Sequence, residues 1–210
     1  MQYLETFIIS FIFIFLSELG DKTQILVLSF STKNKAINIL LGVALGTLFS
    51  HGLAITFGSK IGCINNDNFI YCLKLFTYIT FVLFGVIGFY KMKKADSVSD
   101  NLTETASKSH IINFLSSLTQ NCILLVAFSI AIGELGDKTF LASIGLGLGY
   151  PLYKISLILG SICGMVASDS IAIFFGKWLG SKISPHTIEV LSNTIFILFG
   201  ILGLINIFKI

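Results

Sequence analysis

Charge is what this sequence has least of. Only 12% of its 210 residues are charged, against about 25% in an average soluble domain, while 54% are hydrophobic. That shortage excludes an ordinary soluble fold and points to a membrane protein. Arginine is absent altogether: all fourteen basic residues are Lys. With so much Ile, Phe and Asn, this is the bias of an AT-rich genome. The net charge of +3 is too small to suggest a nucleic-acid partner. Cysteine is also scarce. Cys122 and Cys163 lie inside apolar runs, and Cys63 and Cys72 flank a loop. The latter two could pair only if that loop faces an oxidising side; otherwise they are ordinary small thiols. No basic segment precedes the first apolar stretch and no small-residue cleavage site follows it, so the first helix is expected to stay in the mature protein.

Apolar runs fall at about 3–30, 36–57, 69–90, 119–148, 152–175 and 188–208. Each is long enough for a transmembrane helix, which predicts an all-α membrane protein with six spans. The first and fourth runs are too long for simple crossings. Twenty-eight residues of straight helix reach about 42 Å, against about 30 Å of hydrocarbon. A tilt, kink or break at Gly20 and Gly136 would absorb the excess. The only long polar stretch, residues 91–110, reads as a flexible linker. It separates a first three-helix unit, residues 1–90, from a second, residues 111–210.

The two units repeat each other. "ELGDKT" at 18–23 recurs at 134–139, an offset of 116. Gly42, Gly46 and His51 match Gly160, Gly164 and Asp169 at an offset of 118, and "FVLFGVIG" at 81–88 matches "FILFGILG" at 196–203 at 115. Because three helices is an odd number, the second copy must insert upside down: an inverted 3+3 repeat with a site at the interface of the copies. Outside the motifs, eight of the remaining twelve lysines fall on one side, including Lys91, Lys93 and Lys94. The linker is therefore expected in the cytoplasm and both termini outside. The glycine pairs four apart predict close helix packing. Trp178, Tyr150 and Tyr153 read as interfacial anchors.

Each motif puts two carboxylates and an ammonium into apolar surroundings. On a continuous helix Glu18 and Asp21, three apart, share a face, and Glu134 and Asp137 repeat this. The inverted two-fold would bring the pairs together. With the hydroxyls of Thr23 and Thr139 they make an all-oxygen site suited to Ca2+, Mn2+ or Mg2+. Four carboxylates with Lys22 and Lys138 sum to −2, which one divalent ion or two protons would neutralise. A charge near the bilayer centre costs at least ~2.5–3.5 kcal/mol, so an empty, fully ionised site is strained, and exchange of metal for protons follows. The lysines, four residues after each Glu, have the spacing of helical ion pairs. They are read as balancing charge, in part structurally. Asp169 and His51 could accept protons behind the ligands; the alternative for each is a polar role between helices, and for His51 that alternative is the stronger.

The doubled "ELGDKT" closely resembles the E-x-G-D-[KR]-[ST] motifs that define a membrane family once called Uncharacterised Protein Family 0016. The resemblance covers essentially the whole chain. It implies a six-helix transporter of Mn2+ or Ca2+ in exchange for protons, without other cofactors. It carries over Glu18, Asp21, Lys22, Thr23, Glu134, Asp137, Lys138 and Thr139. Gln24 fits a common family variant, whereas Phe140 takes that place in the second copy. The family precedent leans towards Mn2+ export from a bacterial cytoplasm across the plasma membrane, with Ca2+/H+ exchange as the near alternative. In another class, Asp21 and Asp137 could form an intramembrane aspartyl protease. The Lys after each Asp opposes this, because such a dyad shares a proton. Zinc proteolysis lacks its H-E-x-x-H. A purely structural membrane subunit would not need the symmetric polar centre.

Overall fold

The polar punctuation of the chain sets its helices. Asn66 accepts a hydrogen bond from the Phe69 amide at 3.1 Å, and Asn121 one from the Ile123 amide at 3.0 Å. Each thereby satisfies a donor that a helix start leaves open. The computed structural model describes residues 1–19, 21–31, 34–64, 66–95, 121–182 and 185–208. The described elements are helical: α1 (Gln2–Glu18), α2 (Lys22–Ser31), α3 (Ala36–Gly62), α4 (Asp67–Ala95), α5 (Cys122–Glu134), α6 (Lys138–Gly149), a 3-10 turn (Pro151–Tyr153), α7 (Lys154–Lys182) and α8 (Pro185–Phe208).

Four stretches are long and apolar enough to cross a membrane: Ala36–Gly62, Asn68–Tyr90, Pro151–Phe174 and Val190–Phe208. The two overlong runs are not single helices. Both divide at the charged motif, into α1 and α2 and into α5 and α6. Helix α4 continues to Ala95, so the stretch 91–110 begins as helix and not as linker. Its remainder, Gly20 and the side chain of Trp178 lie outside the described residues. Cys63 and Cys72 are free and exposed, so the pairing that spacing allowed is not made.

Helix α3 shows how the chain meets its surroundings. Ile37, Leu41, Leu45, Phe49, Leu53 and Phe57, each four apart, are all exposed. Gly42, Val43, Gly46, Ser50 and Ala54 on the other side are buried. An apolar outer face with small and polar residues inside is the reverse of a soluble helix, and suits lipid.

Packing between the units is reciprocal. α3 lies against α5 and α6, α7 lies against α1 and α2, and α4 pairs with α8. The glycine pairs explain the closeness. A Cβ on Gly46 would stand 2.6 Å from the Ala127 carbonyl oxygen, and one on Gly164 2.7 Å from that of Phe11. Gly42 and Gly160 are equally tight against α5 and α1. Phe13 ties the sides together, its ring centroid 5.7 Å from Phe81, 5.4 Å from Phe196 and 4.5 Å from Phe199.

Candidate cation site

The two helix breaks are built alike. Leu19 (φ −60°, ψ 116°) and Leu135 (φ −62°, ψ 114°) both leave the helix in extended geometry. The Asp21 amide then donates to the Glu18 carbonyl at 3.2 Å, and the Asp137 amide to the Glu134 carbonyl at 3.1 Å. Gly136 has φ +85° with nothing within 4 Å of a Cβ. The backbone conformation, not crowding, calls for glycine there. Non-helical backbone at membrane depth is tolerated only where protein or an aqueous cavity surrounds it. Each break also leaves a glutamate at the C-terminus of a helix, the negative end of its dipole, which favours a cation.

Glu18 and Glu134 are fully buried and converge from the two units, with His51 of α3 between them. One donor atom of each lies within 4.8 Å of the other two. The Thr139 hydroxyl donates to Glu134 Oε2 at 3.1 Å, and Thr23 donates to Glu18 Oε2 at 3.5 Å. Oε1 of both glutamates has no hydrogen-bond partner among the described residues. Two buried carboxylates brought together, each with one oxygen lacking a partner among the described residues, are arranged to hold a positive charge.

The breaks alter the geometry expected for a continuous helix. Asp21 and Asp137 do not share a helical face with their glutamates. They follow the unwound turn, half-buried, and their charges still act on Glu18. Lys138 does not pair with Glu134, because the four-residue spacing counts only along an unbroken helix. Its Nζ donates to Ser192 Oγ at 3.1 Å and lies 5.4 Å from the centre of the Phe196 ring. The side chain of Lys22 lies outside the described residues. Gln24 joins α2 to α7, donating to the Ser168 hydroxyl at 2.6 Å and its carbonyl at 3.2 Å. Asp169 is fully buried without a hydrogen bond to either oxygen among the described residues, within electrostatic reach of Glu134 and Asp21.

Sequence reasoning missed Ser143, whose hydroxyl lies 2.7 Å from His51 Nδ1. It stands four residues after Thr139, on the same face of α6, and that spacing was the available signal. Ser192 was missed as well. Its hydroxyl contacts Lys138 and donates to the Ser17 carbonyl at 3.3 Å, and no sequence pattern marks it.

The likeness to known proteins runs over most of the chain. "GDT1-like protein 5" of Arabidopsis thaliana is 27% identical, covering 91% of this chain and 92% of that protein. A Vibrio cholerae protein named "Putative manganese exporter" is 28% identical, over 89% and 84%. "GDT1-like protein 1, chloroplastic" of rice is 26% identical over 94% of this chain, which spans 61% of that relative's length. No solved structure gives a significant match. The sequence profile described as "Divalent cation/proton antiporter GDT1" matches residues 6–96 and 122–209, on both sides of the linker, and the chain therefore belongs to that family.

Proposed function

We propose that the protein exports Mn2+ from the cytoplasm in exchange for protons, through one site at the interface of its two units. The observation that carries this reading is the convergence of Glu18 and Glu134, fully buried, from two copies of one motif. Asp21 and Asp137 flank them, and Thr23 and Thr139 orient them. A divalent ion neutralises the site, and protons take its place when it leaves. The Vibrio cholerae relative's name points to manganese. The prominence of the glutamates over the aspartates favours transport over an aspartyl dyad.

In this reading each broken pair crosses the membrane once. The chain then makes six crossings as an inverted 3+3 repeat, residues 1–90 and 111–210. Reciprocal packing of α3 on α5–α6 and of α7 on α1–α2 supports it. The 91–110 linker faces the cytoplasm of a bacterial plasma membrane and the termini face outwards. Cysteine labels in the linker should react only from the cytoplasmic side and labels at the termini only from outside; reaction from the same side would refute the inverted repeat.

The functional test is proton-coupled Mn2+ uptake into inverted vesicles. Uptake that collapses with the proton gradient is expected. Uptake of Ca2+ in preference to Mn2+ would replace export of manganese by Ca2+/H+ exchange, and uptake of neither would end the transport reading.

A further inference from the structure

The third member of the buried cluster is a nitrogen. His51 is fully buried on α3, and its two ring nitrogens differ in their surroundings. Nδ1 is 2.7 Å from Ser143 Oγ. Nε2 has no hydrogen-bond partner among the described residues and stands 3.8 Å from Glu134 Oε2. A buried polar nitrogen without a partner is costly, unless something absent from the protein itself completes it.

We infer that His51 is a direct ligand of the transported cation through Nε2, and that this nitrogen selects Mn2+ against Ca2+. The inference rests on the cation site proposed above. Its geometry fits. Donors on opposite sides of an ion, with bonds of about 2.1–2.4 Å, stand about 4.2–4.8 Å apart. The Glu18, Glu134 and His51 donors lie within 4.8 Å of one another. A metal-bound histidine normally donates its other ring N–H to a fixed acceptor, which sets the tautomer. Ser143 Oγ is placed to be that acceptor, and Nδ1–H donation to it leaves the Nε2 lone pair facing the carboxylates.

The chemical consequence concerns selectivity. Ca2+ and Mg2+ take oxygen ligands almost exclusively, whereas first-row divalent ions also accept imidazole. A set of only carboxylates and hydroxyls would separate Mn2+ from Ca2+ weakly. One imidazole in that set disfavours Ca2+. The repeat makes the choice visible, because the position matching His51 in the second unit is Asp169. An oxygen donor at that level is available to the fold, and the first unit carries nitrogen instead.

The test is electron spin-echo modulation on the purified full chain loaded with Mn2+. Imidazole nitrogen coupled to the bound ion is expected in wild type. The same coupling is expected in His110→Gln/His186→Gln, which leaves His51 as the one imidazole in the sequence. His51→Gln should lose the coupling and weaken Mn2+ binding by about tenfold or more. His51→Asp should keep a ligand but lower the preference for Mn2+ over Ca2+ by about tenfold. Mn2+ bound without imidazole coupling in wild type, or coupling absent from the double variant, would overturn the role of His51 and leave the cation site standing. Coupling that persists in a folded His51 variant, or an unchanged Mn2+/Ca2+ preference, would overturn it equally. Failure of wild type to bind Mn2+ at all would remove both readings together.

Discussion

The break between α1 and α2 and the break between α5 and α6 share a backbone but not a neighbourhood. Both end a helix at a buried glutamate, turn through an extended leucine and close with an amide-to-carbonyl bond of nearly the same length, 3.2 and 3.1 Å. In each break a threonine hydroxyl donates to the glutamate, and around the second Glu134 also stands 3.8 Å from His51 Nε2 of α3. At the first, α2 is held to α7 by Gln24, and Asp169 of α7, with neither oxygen hydrogen-bonded among the described residues, lies within electrostatic reach of both Glu134 and Asp21. The likeness puts a buried glutamate at the end of a helix in each unit. The differences, His51 against Asp169 and Gln24 against Phe140, give the two sides of one centre different chemistry. A site with identical sides would hold a cation no more readily from one face than the other; unequal sides allow one to hold metal and the other to receive protons.

The largest effect should come from the shared feature. Glu18→Gln and Glu134→Gln each remove one buried charge at nearly constant size. Each should lower Mn2+ transport by about 100-fold or more, since even groups behind metal ligands are worth about 10–100-fold, with expression unchanged. Near-normal transport in either variant would break the equivalence of the halves. Next are the packing glycines. Gly46→Val and Gly164→Val push a side chain against a carbonyl on the opposite unit. Both should cost about 1–3 kcal/mol, seen as lower thermal stability in detergent. If only one is damaging, the reciprocal packing is not equally tight.

Smaller changes address the differences. Asp169→Asn should slow transport by about tenfold, the usual lower range for a proton-transfer group being about 100-fold when it acts in the rate-limiting step, and should leave Mn2+ affinity within about threefold. A large loss of affinity would make Asp169 a ligand and the two sides more alike than described. Gln24→Phe gives the first motif the residue of the second. It removes two hydrogen bonds to Ser168, each worth about 1 kcal/mol, and should lower stability modestly without stopping transport. Thermal unfolding and vesicle uptake on the same preparation check both halves of that expectation.

Much of this was legible in the sequence because membrane burial leaves a simple code. Apolar runs mark the helices, and an exact six-residue repeat marks the centre. The excess length of two runs called for a tilt, kink or break at the motifs, and the helices break there. The same breaks hid what followed from them. Helical spacing placed Glu18 beside Asp21 and Lys138 beside Glu134, but an unwound turn lies between the members of each pair, so spacing no longer reports direction. His51 carried a sign only through its match to Asp169. Its approach to Glu134 depends on which unit α3 packs against, a long-range contact that no local pattern encodes.

If the two motifs make one site, they share one ion. The decisive measurement counts Mn2+ bound to the purified chain, by equilibrium dialysis on wild type, Glu18→Gln and Glu134→Gln at the same free Mn2+. A single ion per wild-type chain and none on either variant is expected. Two ions per chain, with each variant retaining the ion of its intact motif, would show two independent sites and contradict it.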